Sequence, residues 1–400
     1  MKKHITFFTI IITLLFNINL FANIEGLPIW SDNVSACSAS VTTNSLDLKS
    51  KSAILMDSNS GKVIYEYNAD QKLRPASVTK VMTILLIFEN LENGNIKLTD
   101  TVPCSENAMS MGGSQIWLEP KDMLTVDEML KAICVVSAND CCVAMAEFIA
   151  GSTENFVNKM NEKAQSLGMT NTTFVNCHGL DEDGHLTTAK DIAIMSKELI
   201  SKYPQVSKYS TIWMDSLRGG KSQLVNTNKL IRSYSGITGL KTGSTSLALY
   251  NLSATATRDN LSLIAVVMAA PTAQDRFNDA KKLLDMGFAN YANKELCKEH
   301  VTVKNIPLIK GKTDSIDVVT NNSLSILLKK TDSQNITTKE VLPESIMAPV
   351  EKDQKIGEII YFLDDVQIGS VDVVTYYSVE RIELIDCISK VLNCFSRLCR

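Results

Sequence analysis

The spacing of apolar residues changes twice along this chain, and that change limits its fold more than any other feature. Residues 52–68 alternate as two short strands, Ala53-Ile-Leu-Met56 and Lys62-Val-Ile-Tyr65, around Asp57-Ser-Asn-Ser-Gly61, whose Asn and Gly suit a hairpin turn. From Ala76 the period becomes helical, with Val78, Met82, Leu85 and Leu86 apolar. Helical blocks follow over 126–150 and 154–167, the second with Phe156, Met160 and Ala164 spaced by four. Near residue 237 the period returns to two. Residues 237–245, 252–257 and 261–270 read as strands, the last two joined across Arg258-Asp259-Asn260 as an antiparallel meander. Residues 274–292 are helical again. Strands on both sides of a helical middle belong to one sheet with helices packed on it, an α+β architecture.

Four hundred residues accommodate two domains and terminal segments. The first unit is expected over 45–292. From Val301 to Val379 the texture is all-β, with runs at 316–319, 324–328 and 356–362 separated by polar turns and punctuated by Pro307, Pro343 and Pro349. This marks a smaller β domain over 297–379.

Both ends point to membranes. Lys2 and Lys3 precede an apolar run from Ile5 to Phe16, then Leu20, Phe21 and Ala22, the layout of a secretory signal over 1–22. In 380–400, Leu384, Ile385, Ile388, Val391, Leu392, Phe395 and Leu398 recur at steps of three and four, with Asp386, Lys390, Asn393, Arg397 and Arg400 elsewhere on the wheel. That segment is too short and polar to span a bilayer, and its cationic end favours a membrane surface over packing on protein. The chain is therefore read as exported and peripheral on the extracytoplasmic face.

A net charge of −4 gives no reason to expect nucleic acid. Ten cysteines in an exported chain would ordinarily pair. Yet Cys134, Cys141 and Cys142 sit in apolar, helix-like surroundings, where thiols act as small hydrophobes. Mostly free, buried thiols are expected, in an envelope that is not strongly oxidising. No C-x-x-C pair occurs and only four His are present, so zinc-site spacing is absent; no metal or cofactor is expected.

Three short motifs carry the chemistry: Ser77-Val-Thr-Lys80, Ser137-Ala-Asn139 and Lys241-Thr-Gly243. Roughly two S-x-x-K strings arise by chance in a chain of this length, so order and setting matter more than the string. Ser77 and Lys80 lie three apart at a helix start introduced by Pro75, on one face, where free N–H groups favour negative charge. The apolar run after Lys80 marks a central helix, which brings the lysine inside. Burial and a second cation, Lys241, would lower its pKa and let it act as a base. Ser137 and Asn139 interrupt an apolar stretch and suit either a helix cap or a site, with Ser137 as a proton shuttle and Asn139 as a donor to the substrate amide. Gly243 lies in a strand, where glycine weakens structure unless something approaches closely, such as a peptide pairing along an edge. Lys241 and Thr242 would then bind the substrate carboxylate, and the N–H groups of Ser77 and Ser244 would form an oxyanion hole.

With these motifs the chain resembles the penicillin-binding D-Ala-D-Ala carboxypeptidases, a serine peptidase family, from about residue 45 to the C-terminal helix. The resemblance extends to Arg74-Pro-Ala, Gly113-Ser-Gln-Ile-Trp-Leu118, His178-Gly-Leu-Asp181 with His185 and Thr187-Thr-Ala189, Asn226-Thr-Asn-Lys-Leu230, Lys355-Ile-Gly-Glu and Ile368-Gly-Ser-Val. It implies a transpeptidase-like domain, a β domain behind it and an amphipathic anchor. It also implies removal of the terminal D-Ala from peptidoglycan stem peptides through a Ser77 acyl-enzyme, inhibition by β-lactams, and no metal. Arg276 is placed near the substrate carboxylate or on a helix surface. His178 and His185 flank Asp181 and Asp183, metal-type residues that the resemblance explains as a structural turn. Thr238, Ser244, Leu249 and Cys177 depart from the usual Asp, His or Tyr, Gly and Pro of the family. Two other readings stand beside it: a β-lactamase, which shares the first and third motifs, and a catalytically weak wall-binding protein.

Overall fold

The computed structural model describes residues 46–332 and 335–388. The expected signal over 1–22 and residues 389–400 of the expected anchor lie outside the described residues.

The alternating segments form one antiparallel sheet of five strands: β1 (Ser52–Asp57), β2 (Val63–Tyr67), β3 (Ile237–Thr245), β4 (Leu249–Arg258) and β5 (Leu261–Ala270). Their order is β2-β1-β5-β4-β3, so the first hairpin joins the meander through the β1–β5 pair, with Ile54 opposite Val266. The period of two expected over 261–270 does not hold, because both faces of that strand are covered. In β5, Ile264, Val266 and Met268 face one core, while Leu263, Ala265 and Val267 face another. A sheet covered on both faces needs apolar residues at every position.

On one face pack α1 (Lys80–Glu92), α2 (Val126–Val135), α3 (Asn139–Ala150), α4 (Thr153–Ser166) and α5 (Ala189–Lys202). Residues 80–88 of α1 are all buried, as a helix apolar on every side must be. On the other face lies α6 (Ala273–Asn290), through Phe277, Ala280, Leu283 and Leu284. The block expected as one helix over 126–150 is broken. A capping box between Thr125 and Glu128 starts α2, and the chain leaves helical geometry at Ser137, whose φ is 65°, before restarting at Asn139. The second motif occupies that break.

The β region begins at Tyr291, earlier than the expected 297, because Tyr291–Cys297 already pairs with Leu324–Lys329. A six-stranded sheet follows around Ile306, Val318, Tyr361 and Val373. Pro307, one of the prolines that punctuate this region, lies within strand Thr302–Ile309 opposite Ser315. A hairpin of Met214–Leu217 and Ser222–Val225, which the apolar pattern did not announce, meets α2 through the Asp215–Lys131 ion pair. At the C-terminal end, Leu384, Ile385 and Ile388 are exposed. Among the described residues no helix is long and apolar enough to cross a membrane.

Candidate active site

Pro75 opens a tight 3-10 turn, Ala76–Thr79, and α1 starts directly after it at Lys80. In 3-10 geometry residues three apart eclipse, so Ser77 and Lys80 stack on one side. The Lys80 Nζ donates to Ser77 Oγ at 3.0 Å, Asn139 Oδ1 at 2.6 Å and the His178 carbonyl at 2.6 Å. Three donors meet three acceptors, none of them a carboxylate. Burial therefore pushes the Lys80 pKa below the ordinary lysine value, while Cys142, Cys177 and Asp140 pull the other way by less.

The first two motifs meet through this nitrogen. Asn139 sits at the first turn of α3; its side-chain amide donates to the Gly112 carbonyl at 2.7 Å, and its backbone N–H to Ser114 O at 2.7 Å. Ser137, in its left-handed backbone conformation, is buried, and its hydroxyl has no hydrogen-bond partner among the described residues. No protein group among the described residues satisfies this buried hydroxyl.

The third motif lies in β3, which ends the sheet and leaves one edge unpaired within it. Gly243 passes so close to the 3-10 turn that a Cβ would stand 2.8 Å from Val78 N and 2.9 Å from Ser77 N. Close backbone approach explains the glycine. Lys241 is buried, with Nζ donating to Thr242 O at 2.8 Å, and Thr242 shares a 2.6 Å hydrogen bond with Thr227. Burial first, then the Lys80 charge, push the Lys241 pKa down to about 7. Ser244, next along the strand, is exposed.

Arg276 is buried rather than lying on a helix surface. Its guanidinium donates to the carbonyls of Gly243 and Asn251, both at 3.2 Å, so it braces the backbone of β3 and β4. The two histidines are neutral structural pieces. His185 Nδ1 accepts from Val175 N, which leaves Nε2 to donate to Thr79 Oγ1 at 2.7 Å. Burial, followed by nearby positive charge, lowers His178 to about 3 and His185 to about 4. Among the described residues no group of His, Cys, Asp and Glu could hold a metal ion. The seven described cysteines are free, five of them buried.

Several residues that hold the site escaped the sequence. Asn251 donates to the carbonyls of Arg74 and Pro75 and accepts from Ala269 N, pinning the turn that carries Ser77 onto β4. An Asn inside an apolar strand was the available signal. Asp140 accepts from the N–H groups of Ile116 and Leu118, fixing the loop over Asn139. Asn176 folds the His178 loop by accepting from Gly179 N at 2.7 Å. Of the departures, Thr238 bonds Thr255, Leu249 adopts φ 58°, and the Cys177 carbonyl accepts from Thr83.

Residues 38–272 match the family described as D-alanyl-D-alanine carboxypeptidase, and residues 291–381 match the penicillin-binding protein 5 C-terminal domain. The chain is 47% identical to the D-alanyl-D-alanine carboxypeptidase DacF of Bacillus subtilis, over 80% of this chain and 82% of that one. It superposes on penicillin-binding protein 5 of Haemophilus influenzae with a TM-score of 0.71 at 32% identity, covering 84% of this chain and 98% of the other. Penicillin-binding protein D2 of Listeria monocytogenes, in its ampicillin-bound form, gives 0.56 at 32% identity, over 60% of this chain and 98% of that one. Sequence, fold and both matched regions agree, and the chain belongs to the D-alanyl-D-alanine carboxypeptidase family.

Proposed function

We propose that this protein removes the terminal D-Ala from peptidoglycan stem peptides through an ester on Ser77. The observation that carries the reading is one nitrogen: Lys80 Nζ bonds both Ser77 Oγ and Asn139 Oδ1 and has no carboxylate to keep it charged. Neutral Lys80 takes the Ser77 proton as Oγ attacks the carbonyl of the penultimate D-Ala. The N–H groups of Ser77 and Ser244 receive the developing oxyanion. The orphaned Ser137 hydroxyl relays the proton from Lys80 to the departing amine, so D-Ala leaves neutral at nitrogen and the acyl group stays on Ser77. Water then cleaves the ester and restores Ser77. The peptide lies along the β3 edge, with Lys241 and Thr242 at its terminal carboxylate and Asn139 at its amide. Arg276 serves this indirectly, by bracing Gly243.

A β-lactam offers the same carboxylate and a strained amide, so it acylates Ser77 as a substrate mimic. The basic, apolar leader over 1–22 supports export. The exposed Leu384, Ile385 and Ile388 at the start of the C-terminal amphipathic segment support attachment to the extracytoplasmic face of the cell membrane.

The test is D-Ala release from a peptide ending in D-Ala-D-Ala, with a fluorescent penicillin followed in parallel. Release that is lost in Ser77→Ala, together with slowly decaying label, fits the proposal. Rapid loss of label without D-Ala release would mark a β-lactamase instead.

A further inference from the structure

Two charged side chains hold one exposed indole beside the site. Trp117 is 74% exposed, and its φ of 59° is a conformation that bulky residues disfavour. The conformation is imposed from outside. Asp140 Oδ2 accepts from Ile116 N at 3.0 Å and Leu118 N at 3.1 Å. Arg218, from the 214–225 hairpin, donates to Ile116 O at 2.8 Å and Trp117 O at 3.2 Å, and is itself held by Asp122 at 2.6 Å. Four main-chain groups around the indole are thus fixed. This pedestal is continuous with the site, because Asp140 follows Asn139 and Asn139 N–H bonds Ser114 O.

Chain length bears on what part of a substrate can reach it. Trp117 lies three residues beyond Ser114, at most about 11 Å of chain. Four extended residues of a stem peptide span at most about 14 Å from the attacked bond. Peptide near Ser77 with sugar near Trp117 is compatible with both lengths. A flat, rigid indole loses little freedom on contact and presents a face that suits the C–H face of a pyranose ring. Its neighbours Glu119 and Lys121 are exposed and polar, suited to hydroxyl groups and not to an aliphatic side chain.

We propose that Trp117 is a substrate-positioning residue that stacks on a hexopyranose ring of the glycan carrying the stem peptide. The inference rests on the carboxypeptidase reading and extends it to the sugar. The test compares a disaccharide-linked pentapeptide with the same pentapeptide without sugar, using wild type, Trp117→Ala and Trp117→Phe. The ratio of kcat/KM for the two substrates is expected to fall roughly three- to tenfold in Trp117→Ala, through KM, and to recover in Trp117→Phe. Affinities for both ligands are measured in parallel on a Ser77→Ala background, and their ratio should move by the same factor. A ratio that stays put in the binding measurement overturns the proposal, whether Trp117→Ala weakens neither ligand or both equally. A wild type that binds both ligands and cleaves neither would sink the carboxypeptidase reading while leaving the affinity ratio to decide on the sugar.

Discussion

Gly179 lies against the Ala76 carbonyl so closely that a Cβ on it would stand 1.9 Å from that oxygen. Its φ of +91° is one that only glycine adopts easily. The residue before it, His178, supplies the carbonyl that holds Lys80. The nucleophile's turn and the loop that positions its base are therefore packed backbone to backbone. Gly179→Ala should displace one or both, costing about 2–4 kcal/mol of stability and at least tenfold in acylation rate. Thermal melts and penicillin labelling at fixed time measure the two effects. A variant with wild-type melting and labelling would show that the contact is slack.

Acylation should depend on pH through the paired lysines. Burial lowers both, and the Lys80 charge brings Lys241 down to about 7. As pH falls through that range the pair takes up a further proton, and the fraction of molecules with a free lysine beside Ser77 falls. Above it the pair carries one proton fewer, and proton exchange between the two lysines leaves Lys80 able to accept from Ser77. The second-order rate of penicillin acylation should fall as pH drops through about 7, approaching roughly tenfold per unit further down. A flat profile from about pH 5.5 to 8 would contradict the assignment.

Stability should respond in the same range. The folded Lys241 pKa lies below its ordinary 10.5, so the unfolded chain binds the extra proton between about 7 and 10.5. Unfolding then becomes harder as pH rises through that window, and stability is lost as pH falls through the folded value. The full effect is of order 5 kcal/mol. Lys241→Met removes it, so the variant should be more stable than wild type near pH 6.5, with an advantage that shrinks toward pH 10. Paired denaturant titrations at the two pH values read this directly. An advantage that does not change with pH would mean Lys241 is already neutral, or is paired.

The motifs were legible because their chemistry interrupts apolar periodicity. Lys80 heads a run that can only be a central helix, and Gly243 breaks a strand, where the glycine proves to admit the close approach of the Ser77 turn. Ser137-Ala-Asn139 fell in what read as one helix, since Cys134 and Cys141, seven residues apart, stay in helical phase across it. Only the left-handed backbone at Ser137 breaks that phase, and serine gives no notice of it. Asp140 and Arg218 were hidden for another reason. Each works by bonding main-chain groups of a loop far away in sequence, and such partners leave no local pattern. The sequence leaves Arg276 either holding the substrate carboxylate or lying on a helix surface; it is buried, and its bonds go to the carbonyls of Gly243 and Asn251.

The most direct test asks where penicillin attaches. The protein is treated with benzylpenicillin, digested, and its peptides are weighed with and without Ser77→Ala. The account predicts one acyl adduct, on the peptide containing Ser77, absent from Ser77→Ala. An adduct on any other residue, or one that survives in Ser77→Ala, would contradict it.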